Sequence, residues 1–400
     1  MTSDPGREHG FQDPDAGQPG WNVTLYAVWA GQLLALIGFS SRVPFLPFYL
    51  GDLGVGDVSG QALWSGAINA AGAAAMAITA PIWGLLADRY GRKPMLLRGL
   101  FGGAAVVVMM GFASSPQQLL GLRVLEGIAG AAAGPLFGGF AYDRIGPRAT
   151  FVLAGAMLFC GGVTVAFLAR ERFTRVATHA MTDEGHGRWR RFRTSGAFLF
   201  TAAMLTMLGA IFVVRMIAMA MQPIIPLFVQ QLAPDDPHVA TVAGIVLGSA
   251  GFTSAFAAAY LGRLGDRTGH RRVLAISLLA AGLVYLPMAF VRDPWQLALL
   301  QGLMGVAAGG LIPSANALIA HLTPVERRGA IFGLSAAIAA VGGFVGPLAG
   351  AFLATSLGFR ATFIASGTLL LAVAAMVIWS QDAAESRGRE VAESRRKMAT

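Results

Sequence analysis

The stretch LRVLEGIAGAAAGPLFGGFAYDRIG, residues 122–146, changes character twice. It opens with Arg123 and Glu126 inside an apolar run, passes through Gly and Ala to Gly134-Pro135, and ends in a short polar loop. It is either one membrane helix carrying charges or the front of one helix joined to the back of another, and the choice decides the fold.

The surrounding composition places this stretch in a membrane protein. Of the 400 residues, 55% are hydrophobic and 13% charged, and the mean hydropathy is +0.61; a soluble surface needs about a quarter charged residues. Charge-free runs such as GQALWSGAINAAGAAAMAITAPIWGLLA and GLSAAIAAVGGFVGPLAGAFLATSLG recur, and about 20 apolar residues span the hydrocarbon core as a helix. Helices satisfy their own backbone hydrogen bonds in lipid, so the expected class is an all-α polytopic membrane protein with the bilayer as its main partner.

The formal charge of +9 does not point to nucleic acid, because Lys and Arg cluster in short loops between apolar runs, as in cytoplasmic loops under the positive-inside rule. Cys160 is the only cysteine and lies in an apolar run, which excludes an internal disulfide or Cys-metal cluster and predicts a packed, inert thiol. The six histidines form no metal-ligand spacing, only Lys93 and Lys397 occur and neither completes a Walker A loop, and no G-x-S-x-G elbow is present. No metal, no cofactor and no enzyme activity are expected.

Eleven apolar segments are read, at 23–50, 61–86, 95–114, 118–141, 149–169, 197–231, 240–262, 272–291, 295–320, 329–353 and 359–380. Residues 1–22 read as a disordered tail, 23–169 as a first, incomplete transmembrane bundle, 170–196 as an Arg-rich cytoplasmic linker, 197–380 as a second six-helix bundle, and 381–400 as a charged tail. The bundles repeat each other. GLLADRYGRK (84–93) matches GRLGDRTGHR (262–271) at an offset of 178, and SPQQLLGLRVLEG from Ser115 matches DPWQLALLQGLMG from Asp293 at the same offset. GPLFGGFAYDRIGPRATF from Gly134, however, matches GPLAGAFLATSLGFRATF from Gly346 at an offset of 212. Thirty-four residues present in the second half, 312–345, therefore have no counterpart in the first. Residues 122–146 begin as one helix and finish as the next. A parallel repeat of this kind characterises one large class of secondary transporters.

At these residues the chain resembles the major facilitator superfamily, in its drug/proton antiporter branch. GLLADRYGRKPMLL is similar to that family's loop between the second and third helices, RVLEG to its fourth-helix motif and GPLFGG to its fifth-helix motif; the similarity runs from about Val23 to Ser380. The resemblance implies two six-helix bundles around a central cavity that alternates between inward-open and outward-open states, with eleven apolar segments and a fused fourth/fifth helix here in place of twelve. It also implies a conformational latch at Gly84, Asp88, Arg89, Gly91 and Arg92, echoed by Asp266 and Arg267, and helix kinks at Gly134-Pro135 and Gly346-Pro347.

If 118–141 crosses once, every later loop changes side, and the linker arginines, Arg263, Arg267, Arg271, Arg272, Arg327 and Arg328 lie outside. The family orientation leaves only Arg144, Arg148, Arg292 and Arg360 in later external loops, which the positive-inside rule favours. The segment is expected to enter and return as a re-entrant element with Gly130 to Pro135 at its bend, since its length as helix, about 36 Å, covers one crossing and not two.

Charges inside apolar segments are costly and default to functional hypotheses; those counted are Arg42, Arg123, Glu126 and Arg215. Arg123 and Glu126 stand three apart on one helix face and are expected to pair. Burial favours the neutral acid and Arg123 favours the carboxylate, so the pair reads as either a proton-coupling device or a structural ion pair. Substrate-cavity candidates are Arg42, Phe45, Tyr49, Trp64, Arg215 and Gln222; the aromatic residues among them read equally as lipid anchors. The function expected is proton-coupled export of small amphipathic or cationic compounds by a monomer in the bacterial plasma membrane, both tails cytoplasmic. The alternatives are transport of a particular metabolite or sugar, and a non-transporting, internally deleted remnant.

Overall fold

The computed structural model of the chain describes residues 21–40, 42–129, 136–169, 202–323 and 328–399. The linker at 170–196, most of the N-terminal tail and the Gly134-Pro135 pair lie outside the described residues. Twelve helices follow in order: α1 (Trp21–Ser40), α2 (Leu46–Asp52), α3 (Val58–Tyr90), α4 (Arg92–Met110), α5 (Pro116–Ala129), α6 (Leu136–Leu168), α7 (Ala202–Leu232), α8 (Val239–Thr268), α9 (His270–Met288), α10 (Pro294–Leu322), α11 (Arg328–Leu357) and α12 (Phe359–Ala399). No strand occurs among the described residues. Their starts follow local chemistry: the Asp57 carboxylate accepts from the Gly60 amide at 2.6 Å to open α3, and Asp293 accepts from the Trp295 amide at 2.7 Å ahead of Pro294 to open α10.

Nine of these helices, among the described residues, are long and apolar enough to cross a bilayer. The first expected segment, 23–50, is broken: α1 ends at Ser40, Arg42 to Phe45 form a turn, and Pro47 starts the short α2. Of the fourth, 118–141, the described residues lie in α5, up to Ala129, and in α6, from Leu136, and α6 carries non-helical backbone at Gly146 and then Pro147. At the C-terminus α12 runs from Phe359 to Ala399, and its apolar span ends at Trp379. Cys160, expected to be packed, is exposed.

The two-offset repeat is written into the backbone. Gly91 and Gly269, 178 apart, turn the chain between α3 and α4 and between α8 and α9 at φ +98° and +95°. Gly146 and Gly358, 212 apart, turn it at φ +76° and +87°, a region where only glycine is unstrained. Thr150 and Thr362, also 212 apart, each donate back to the carbonyl of their glycine, and Phe151 and Phe363 are both fully buried.

The same contacts settle how α5 and α6 run. Tyr49 Oη donates to the Met110 and Ala113 carbonyls, both at 3.1 Å, at the face where α4 ends and α5 begins. Tyr142 Oη donates to Asp52 Oδ2 at 2.7 Å at that same face. Phe45 stacks on Tyr142 and meets Phe151 edge-on, each with centroids 5.1 Å apart. Residues 142–151 therefore lie on the face from which α5 departs.

Trp83 Nε1 donates to the Ile128 carbonyl at 2.7 Å, and Arg98 Nη2 donates to that of Ala129 at 3.2 Å. The Arg98 guanidinium lies 3.2 Å from the Trp83 ring centroid, so the two side chains meet over this stretch of α5. α5 sits hard against α3: a Cβ on Gly127 would collide with the Gly72 carbonyl. Small residues at such crossings let backbones approach closely.

Candidate transport site

Three charges gather where α5 meets the turn between α1 and α2. Glu126 is 1% exposed and Arg42 6%. Arg123 Nη1 donates to Glu126 Oε2 at 2.6 Å, the expected pairing within one helix face, and Arg42 Nη1 lies 2.5 Å from the other carboxylate oxygen, Oε1. One carboxylate thus serves two guanidinium groups, and the cluster carries a net positive charge. Arg42 was expected in the substrate cavity; the break in the first segment turns it inward to Glu126 instead, where an intramembrane charge finds its partner. Arg123 runs over Gly72, where a Cβ would stand 2.9 Å from its Nε.

The next residue after Gly72, Ala73, borders a cavity of about 530 Å³. Ala73 and Met76 of α3 form one side; the rest comes from α7, α9, α10 and α11, including Ile211, Val214, Arg215, Met219, Asn316 and Phe332. Leu274 and Phe332, one turn inside α9 and α11, carry the cavity toward the face that bears the linker. Its walls are largely apolar, and Arg215 is the charged residue among them.

Of the other expected cavity residues, Phe45 and Tyr49 are buried in the aromatic packing described above. Trp64 is half-buried against the core. Gln222, one turn beyond Met219 on α7, is half-buried and absent from the cavity wall. Arg215 alone of the six lines it.

On the face opposite the linker, the halves are joined by Asp143. Its Oδ2 accepts from the Thr241 amide at 2.6 Å and from Thr241 Oγ1 at 2.5 Å. Thr241 lies in the first turn of α8, so a carboxylate from the first half caps a helix of the second. Nearer mid-depth, Gly66 of α3 meets the Pro347 carbonyl of α11, where a Cβ would stand 2.7 Å away.

The sequence profile of the Major Facilitator Superfamily matches residues 28–133 and 207–400. The chain belongs to this superfamily. It is similar to the multidrug resistance protein MdtG of Salmonella typhimurium, at 32% identity over 384 residues that cover 88% of this chain and 93% of that one. The protein of the same name from Serratia proteamaculans is 32% identical over 404 residues, covering 92% of this chain and 96% of its own length. That alignment takes in about 368 of the 400 residues here, so about 36 aligned positions have no residue in this chain. The fold is similar to that of a bacterial homolog of the human lysosomal transporter Spinster, solved inward-facing and occupied, with TM-score 0.69 at 14% identity over 92% of this chain and 98% of that one. As a member of the superfamily the chain is a multi-pass membrane transporter for small molecules, not an enzyme.

The loop expected to act as this transporter's latch is described in part. Gly91 makes the turn, and its amide donates to the Ala87 carbonyl. Arg89 is exposed and lies 5.4 Å from the Tyr90 ring centroid. In the second half Asp266 lies 3.1 Å from His270 Nε2, within its own bundle, and Arg267 is exposed. The side chains of Asp88 and Arg92, and the surroundings of Gly84, lie outside the description.

The expected kink at Gly346-Pro347 is a packing seam. Gly342, Gly346 and Gly350 lie one turn apart along α11, against the backbone of Phe212, Met216 and Ala220 of α7. Sequence reasoning passed over Trp83, Arg98 and Asp143. Arg98 carried a readable signal, a charge in the third apolar segment, and belongs with the four counted. For Trp83 and Asp143 nothing in the sequence gave the partner.

Proposed function

We propose that this chain is a proton-coupled secondary transporter that exports small amphipathic compounds from the cytoplasm by alternating access. The observation that carries the reading is the mid-membrane cavity between α3 and the second bundle, one residue along α3 from the Arg42–Glu126–Arg123 cluster. Apolar walls with few polar groups suit an amphipathic ligand, and the named relatives are multidrug resistance proteins. Of the two substrate descriptions drawn from the sequence, amphipathic and cationic, the lining supports the first.

The linker face is cytoplasmic in this reading, because Arg263, Arg267, Arg271 and Arg272 lie on it while Arg144, Arg148, Arg292 and Arg360 mark the other. Coupling resides in Glu126. A proton taken by its carboxylate removes the anion that holds Arg42 and Arg123 together, and the two guanidinium groups then repel. The turn before α2 separates from α5, and the bundles rock. Loss of the proton to the other side restores the cluster. The tails share the cytoplasm, and one chain suffices as the transporting unit.

Proteoliposomes with an imposed proton gradient test this. Wild type should drive amphipathic dye against its gradient, and Glu126→Gln should abolish that accumulation while still exchanging labelled for unlabelled dye at equal pH. Accumulation undiminished in Glu126→Gln removes the coupling role. An absence of flux in both assays for wild type makes the chain a non-transporting remnant.

A further inference from the structure

Arg215 stands apart from every other charge within the bundles. It is the fourteenth residue of α7, about 20 Å along the helix from Ala202, too deep for its side chain to snorkel to the linker face. Arg98 donates to the Ala129 carbonyl, and Arg42 and Arg123 share Glu126. Arg215, by contrast, has no hydrogen bond or ion pair with any described residue and is exposed at the cavity wall. Among the described residues no acid lines that cavity. Its other polar groups are neutral: Asn316, and Ser335, whose hydroxyl already donates to the Phe332 carbonyl. Glu126, the one buried carboxylate among the described residues, is occupied by two arginines.

A cationic ligand entering here meets an unneutralised guanidinium and no carboxylate. An acid meets a planar fork of donors, in a low-dielectric site, with geometry for bidentate binding. We infer that the cavity takes an anionic amphiphile, its carboxylate, phosphate, phosphonate or sulfonate group on Arg215 and its apolar body along Ile211, Val214, Met219, Leu311 and Phe332. This deepens the transport reading and rests on the cavity being the transport site. Arg215 is then the residue that sets the charge of the substrate.

The test is equilibrium binding to the full chain in phosphatidylcholine nanodiscs, with three dansyl probes on the same eleven-carbon chain: a carboxylate, its methyl ester and a trimethylammonium analogue. The carboxylate should bind wild type at least tenfold more tightly than the cation. Arg215→Met should erase that preference while the ester still binds, which also reports that the variant is folded. Arg215→Lys should keep the preference with weaker binding, and Arg215→Glu should reverse it. Equal affinity of wild type for anion and cation, or an anion preference surviving in Arg215→Met, overturns the inference. In nanodiscs containing phosphatidylglycerol, weakened carboxylate binding in wild type alone identifies a lipid headgroup as the occupant; unchanged binding identifies a soluble amphiphile. Because binding is read without flux, a chain that binds the anion through Arg215 but transports nothing refutes only the transport reading. Efflux of the cation in preference to the anion refutes only this one.

Discussion

The Tyr142 hydroxyl donates to the Asp52 carboxylate at 2.7 Å across 90 positions of chain, and that bond fixes the side of the membrane on which the fused segment emerges. Asp52 ends α2, on the face where α4 gives way to α5. In a Cys160→Ala background, Ser114→Cys and Ile145→Cys should react with a membrane-impermeant maleimide from the same side, and Arg272→Cys from the other. Reaction of Ile145→Cys from the side of Arg272→Cys would mean that the segment crosses the membrane once.

Glu126 holds two arginines, so its loss differs in kind from the loss of either partner. Glu126→Ala leaves one buried and one half-buried guanidinium group, 84 and 3 residues from a vanished anion, and should destabilise the chain by about 3–5 kcal/mol. Arg123→Leu leaves the Arg42–Glu126 pair intact and should cost clearly less. Denaturation in mild detergent measures both; equal losses would show that the carboxylate is not the hub.

Asp143 clasps α8 from the opposite half. Removing a helix cap costs about 0.5–2 kcal/mol, and a tenfold shift in a two-state equilibrium corresponds to about 1.4 kcal/mol. Asp143→Ala should therefore raise the labelling rate of Ser59→Cys, at a second cavity on that face, by about twofold to roughly thirtyfold. An unchanged rate would show that the clasp does not bias opening.

Trp83 and Arg98 donate to the Ile128 and Ala129 carbonyls of α5. Trp83→Phe keeps a ring beneath Arg98 but removes the donor to Ile128, and the loss of one such hydrogen bond costs about 0.5–1.5 kcal/mol. Amide exchange at 126–129 should accelerate in this variant while that in α9 does not. Uniform acceleration would mean that the whole bundle, and not this contact, had been weakened.

The parts of this architecture legible in the sequence were those that repeat. Gly91 with Gly269 and Gly146 with Gly358 announce both offsets, because the left-handed turns they make tolerate little else. The pairing of Arg123 with Glu126 was legible because helix geometry alone brings positions three apart together. Arg42 joins the same carboxylate through a turn created by prolines 44 and 47, and no local pattern measures that reach. Trp83 looked like one more apolar residue, since the value of its indole N–H depends on where α5 packs. Asp143 sat in a stretch taken for a plain loop, and its partner in the other half follows only from tertiary packing.

Apart from Ala73 and Met76, the described cavity lining belongs to the second bundle. A passenger seated almost wholly in one bundle travels with it and keeps nearly the same contacts in both access states. A ligand shifts a conformational equilibrium only by the difference in its affinity for the two states, so cargo so placed supplies little drive for reorientation. On the mechanism proposed above, the bias would come from the carboxylate shared by Arg42 and Arg123 and from Asp143 on α8. Selection and propulsion would then be separate offices, the one held by Arg215 and its neighbours, the other by these two acids.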